Sequence, residues 1–105
     1  MRIPLAGLAV LLLLSPASAA APRTFEVVID QMKFGAMPAS VRPGDRITWV
    51  NRDLFRHTAT AKAAGFDVDL PPGAKRVSTV IRSGTFTVIC RYHPGMRTTL
   101  KVAAK

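Results

Sequence analysis

The seven residues Cys90-Arg91-Tyr92-His93-Pro94-Gly95-Met96 set a thiolate, an imidazole and a thioether on one short loop. A second imidazole, His57, lies upstream, just past a strand-like run. The chain contains one cysteine and two histidines, so every residue of those two types falls where a shared metal site would need it. Two imidazoles and a thiolate with a weak axial thioether form the ligand set of a trigonal copper centre built for electron transfer. A thiolate at a strand end and an imidazole three residues later can reach one ion across a tight turn. His57 would close the site from a neighbouring loop. On this reading His57, Cys90 and His93 are the strong ligands and Met96 the axial one.

Other chemistries compete for the same residues. Each residue alone is weak evidence, since a buried cysteine is usually an inert small hydrophobe. Zinc also takes Cys and His, but a structural zinc site wants four strong donors, and here there are three plus a thioether. A c-type haem needs Cys-x-x-Cys-His, which is absent. A Cys–His hydrolase would use Cys90 as nucleophile and His57 or His93 as base, yet so small a domain leaves little room for a substrate cleft. A copper carrier or buffer would use the same four residues without an electron-transfer role. The expectation is one copper ion, no enzymatic activity and one-electron shuttling.

The elements that must position these groups read as short strands broken by Pro and Gly. Thr24 to Asp30 alternates, with Phe25, Val27 and Ile29 on one face. Pro43-Gly44 suits a type II turn, because proline fixes the first central angle and glycine accepts the positive φ of the second. A strand carrying Ile47 and Trp49 follows. Phe66 to Leu70 alternates and is stopped by Pro71-Pro72-Gly73. Lys75 to Ile81 puts Val77, Thr79 and Ile81 on one side, and Ser83-Gly84 turns the chain. Thr85 to Cys90 then places Phe86, Val88 and Cys90 together, which aims the thiol inward. Leu100 and Val102 mark a last strand. The stretch Asp53 to Ala64 has room for a short turn of helix. Short strands with frequent turns argue for an all-β sandwich or barrel.

The N-terminus reads as an export signal: Arg2, an apolar run from Leu5 to Leu14, and Ala17-Ser18-Ala19 as a small-residue cleavage site. Ser15-Pro16 interrupts the run well short of the roughly 20 apolar residues that a spanning helix needs. The expected organisation is a signal peptide over residues 1–19 and one domain over residues 20–105, with no stable membrane insertion after cleavage. A lone thiol in an exported protein is exposed to oxidation, and metal ligation gives it a purpose. The formal net charge is +9, and Arg2 is the one basic residue in the leader. The basic residues are scattered rather than clustered or interleaved with stacking aromatics, which argues against nucleic acid. They favour redox partners with acidic surface patches, met by a periplasmic monomer.

The run Val41-Arg42-Pro43-Gly44-Asp45-Arg46-Ile47-Thr48-Trp49-Val50-Asn51, then His57, Pro72-Gly73, Gly84-Thr85-Phe86 and the Cys90–Met96 loop together resemble the cupredoxins, most closely the amicyanin and pseudoazurin group. The likeness runs from about Thr24 to Val102, and the short Cys-x2-His-x2-Met spacing is the amicyanin form. The resemblance implies a Greek-key β-sandwich with copper at one end and His93 as the more exposed ligand, at the edge where electrons would pass. Amicyanins resemble Cys-Thr-Pro-His-Pro-Phe-Met in this loop, so Arg91-Tyr92 and Gly95 are departures, as is Thr58 where the family often has Asn. Tyr92, unlike proline, keeps an N–H that could point at the Cys90 sulfur and tune the potential.

Overall fold

A computed structural model of the chain describes residues 21–104. The expected signal peptide, residues 1–19, lies outside the described residues. Among the described residues no helix is long and apolar enough to cross a membrane.

Among the described residues eight strands form two sheets: β1 (Thr24–Asp30), β2 (Lys33–Phe34), β3 (Arg46–Asn51), β4 (His57–Ala61), β5 (Phe66–Leu70), β6 (Lys75–Thr79), β7 (Gly84–Ile89) and β8 (Arg97–Val102). One sheet is ordered β2-β1-β3-β6 and the other β5-β4-β7-β8. β1 and β3 run parallel, and the other pairs are antiparallel. The chain passes between sheets as a Greek-key sandwich does. The alternating residues of both inner faces, among them Val27, Ile29, Ile47, Trp49, Leu70, Val88 and Leu100, are fully buried between them. Trp49 sits at the centre, edge-on to Phe34 at 6.1 Å and tilted over Phe66 at 5.7 Å.

The turns follow their residues. Gly44 has φ +98° and the Asp45 N–H donates to the Arg42 carbonyl at 3.0 Å, the turn expected at Pro43-Gly44. β1 and β2 are joined by Gln31-Met32, both in the left-handed region at φ 51° and 61°. This is the type I′ form of a two-residue hairpin, whose positive φ at both positions costs non-glycine residues free energy. The Asp53 carboxylate offsets that cost by accepting the Gln31 N–H on Oδ1 at 2.7 Å and the Met32 N–H on Oδ2 at 2.9 Å.

Two local expectations hold, each with a detail that the sequence did not show. Val77, Thr79 and Ile81 share a side as expected, and it is the outer one: Val77 is 55% and Ile81 54% exposed, while Ser78 and Val80 are buried. The inward serine has a purpose, since the indole N–H of Trp49 needs an acceptor when buried and donates to Ser78 Oγ at 2.8 Å. The stretch Asp53 to Ala64 holds the expected short helical turn, a three-residue 3-10 helix over Lys62–Ala64, but most of it is strand β4 and the loop before it. All five residues of β4, His-Thr-Ala-Thr-Ala, are buried, so its small side chains are covered on both faces and show no alternation to read. β4 runs in register with β5 along its whole length, from His57 opposite Leu70 to Ala61 opposite Phe66. With β7 it shares one registered pair, Thr60 opposite Ile89.

Candidate metal centre

Cys90 is the first residue after β7, and its inward alternation carries the thiol to 3% exposure. The loop behind it closes on itself. The Cys90 N–H donates to the Met96 carbonyl at 3.1 Å, and the Met96 N–H to the His93 carbonyl at 3.0 Å. Gly95, at φ +94°, lets Pro94-Gly95 turn tightly enough for that second bond. The result returns Met96 to the core, 7% exposed and in the same buried cluster as Cys90.

His57 comes from the other direction. It is the first residue of β4 and fully buried, rather than a loop residue as expected. Its Nδ1 lies 3.7 Å from Cys90 Sγ and its Nε2 2.7 Å from Asp53 Oδ2. A carboxylate can only accept, so Nε2 carries the proton and the lone pair of Nδ1 faces the sulfur. Burial works to raise the Asp53 pKa. The N–H groups of Met32 and Gln31 and the His57 imidazole work against it and hold the carboxyl below its usual range.

His93 is half-buried. Its Nε2 donates to the Arg56 carbonyl at 3.1 Å, which likewise leaves Nδ1 as the free donor atom. The two imidazoles meet edge to face with centroids 4.9 Å apart. Ligand atoms of His57, Cys90 and His93 all lie within 4.8 Å of one another. Three of the four expected ligands are therefore gathered, and Met96 is brought back beside Cys90 by its backbone bond.

Residues given no role in the sequence reading complete the surround. Asn51, at the end of β3 and 1% exposed, donates from Nδ2 to the carbonyls of Phe55, Leu70 and Pro71 and accepts the Asp53 N–H on Oδ1 at 2.9 Å. It thus shapes the loop that carries Asp53. Thr58 accepts the Arg91 N–H on Oγ1 at 2.9 Å, tying the Cys90 loop to β4. The Tyr92 expectation is corrected: among the described residues the hydrogen-bond partner of the Cys90 sulfur is His57 Nδ1, not the Tyr92 N–H. The Tyr92 ring instead faces the guanidiniums of Arg56 and Arg91. The spacing Asp53-x3-His57 was the one visible hint of a carboxylate behind the imidazole.

Comparison with known proteins agrees with this geometry. A family model described as a cupredoxin-like domain matches residues 4–102. A reduced-state variant of amicyanin superposes with a TM-score of 0.64 at 26% identity, over 76% of this chain and 82% of that one. The reduced Cu(I) form at pH 4 of a second amicyanin variant gives 0.62 at 28% identity over the same shares. The Cu(I) form of a third gives 0.62 at 26% identity, over 83% of this chain and 87% of that one. No curated protein matches the sequence.

Proposed function

Because the chain belongs to the cupredoxin family, we propose that it is a type 1 copper protein that carries single electrons between redox proteins. Copper would be held by His57 Nδ1, Cys90 Sγ and His93 Nδ1, with the Met96 thioether as the weak axial donor. The observation that carries this reading is the convergence of a thiol and two imidazoles within 4.8 Å, with both Nε2 atoms already engaged by protein acceptors. Two neutral imidazoles, a soft thiolate and a thioether suit copper better than zinc.

Bound copper supplies the redox couple Cu(II)/Cu(I). The chain's own residues supply fixity. Asp53 and the Arg56 carbonyl hold the imidazoles, the Cys90–Met96 backbone bond holds the loop, and burial on β4 and β7 keeps water off the sulfur. A site that barely rearranges lets an electron pass with a small reorganisation. His93 is the ligand nearest solvent, and the electron path would run through it.

The leader pattern of residues 1–19 supports export, with the domain over residues 20–105 acting as a periplasmic monomer. The positive charge supports acidic redox partners, and an electron carrier of this kind is not an enzyme. Copper titration followed by visible absorption tests the reading. One Cu(II) per chain with an intense charge-transfer band that bleaches and returns through redox cycles is expected. A colourless copper complex would instead favour a carrier or buffer of Cu(I).

A further inference from the structure

The densest unassigned chemistry lies beside the ligand cluster, on the same end of the sandwich. Tyr92 is 46% exposed, and the guanidiniums of Arg56 and Arg91 stand 5.6 and 5.7 Å from its ring centroid, within cation–π reach. Neither arginine wanders freely. Arg56 forks onto Asp69, Nε to Oδ1 at 2.9 Å and Nη2 to Oδ2. Arg91 pairs through Nε with Asp67 Oδ1 at 3.3 Å. A third guanidinium, Arg76, donates to the Asp69 carbonyl at 3.0 Å, so cations outnumber carboxylates in the group. Beside it, Leu54 is 89% and Phe55 58% exposed, with Phe55 edge-on to His93 at 6.4 Å.

We propose that Arg56, Tyr92 and Arg91 form a preorganised carboxylate clamp at the His93 edge, through which an acidic redox protein docks. The proposal rests on the electron-carrier reading above. Among the described residues Arg56 Nη1 and both Nη atoms of Arg91 have no hydrogen-bond partner, so each fork can take a partner carboxylate without releasing its own aspartate. Guanidiniums already held against a ring lose less freedom on binding than mobile side chains do. Leu54 and Phe55 add an apolar centre to a charged rim, the composition of an interface that binds. Arg56 also links docking to electron passage, since its own carbonyl holds His93 Nε2. An acidic protein is favoured over an anionic lipid surface because the two forks are fixed at defined positions, which suits placed carboxylates rather than a diffuse charge.

The test oxidises the Cu(I) protein with hexacyanoferrate(III), one electron passing from Cu(I) to Fe(III), at low ionic strength, with and without a hexa-aspartate peptide. The control is R46A/K101A, which removes the same charge at the far end, where Arg46 pairs with Thr24 and Lys101 with Thr85. The peptide should slow the wild type. R56A/R91A should slow oxidation about fivefold or more, as expected for losing nearby charges against a trivalent anion, and should abolish inhibition by the peptide. The control should change the rate less than about twofold and stay inhibited. R56K/R91K keeps the charge without the planar forks, and should keep the rate but lose most of the inhibition. Equal effects of R56A/R91A and the control, or a wild type that the peptide does not slow, would overturn the clamp. So would phosphatidylglycerol vesicles retaining the wild type, but not R56A/R91A, while the peptide has no effect. The visible band of the copper-loaded wild type tests the carrier reading separately.

Discussion

Asp53 and His57 are joined by a 2.7 Å contact between Oδ2 and Nε2, and that carboxylate also accepts the amides of Gln31 and Met32. One side chain thus sets the tautomer of a ligand imidazole and holds a left-handed hairpin turn 21 residues away. Asp53→Asn leaves one acceptor where two oxygens served three donors. Groups that orient a metal-binding imidazole are worth about 10- to 100-fold in metal affinity, so copper affinity should fall at least about tenfold. Competition with a chelator measures it, and an unchanged affinity would remove Asp53 from the site.

Cys90→Ser replaces a soft thiolate by a poor copper donor. The intense visible band should vanish even when copper is supplied in excess. A serine variant that binds copper and keeps the band would sink the ligand assignment.

Thr58→Val keeps the shape of a fully buried side chain but removes the acceptor of the Arg91 N–H. The bond is part-buried, and losing such a hydrogen bond costs about 0.5–1.5 kcal/mol. The copper-free valine variant should lose that much in urea unfolding, and Thr58→Ser should lose less. A larger loss in the serine variant than in the valine variant would mean that the methyl, not the hydroxyl, matters at this position.

Asp45 gives the fold an acid limit. Burial works to raise its pKa, but the N–H groups of Arg23 and Arg42 and the Arg23 guanidinium prevail and hold it below the ordinary range. A depressed carboxyl pKa adds stability that is complete above the unfolded value near 3.9 and is lost as pH falls through the lower folded value. The stability of the copper-free protein should therefore fall as the pH drops below about 5. Asp45→Asn should be less stable at pH 7 and lose less on acidification. Parallel curves for the two proteins would place the acid limit elsewhere.

The ligand types, their short loop and the sandwich were legible because each rests on near neighbours: alternation along β1, β3 and β7, Pro-Gly turns, and Cys90, His93 and Met96 within seven residues. What stayed hidden spans long separations. Thr58 and Arg91 are 33 residues apart, and Asp53 and Gln31 22, and no local pattern marks such pairs. His57 was misplaced to a loop because His-Thr-Ala-Thr-Ala, buried on both faces, carries no period. Val77 and Ile81 share a side as their alternation indicates, but no local pattern tells that the inward position belongs to Ser78, which the Trp49 indole requires. The Tyr92 N–H was assigned to the sulfur by contrast with the proline of the resembling family, and the ring turned to two arginines instead.

β4 and β7 meet at one registered pair, Thr60 opposite Ile89, and past it toward the ligand end the strands are tied by side chains rather than backbone rungs. That seam joins segments about 30 residues apart, so closing it carries a loop-closure entropy that few ladder bonds repay. In the copper-free protein it is the region where amide hydrogen exchange should be fastest within the core. An ion bridging His57 and Cys90 would act there as a clasp, and its stabilisation would grow with free copper by mass action. Metal loading and the last step of folding would then be one event.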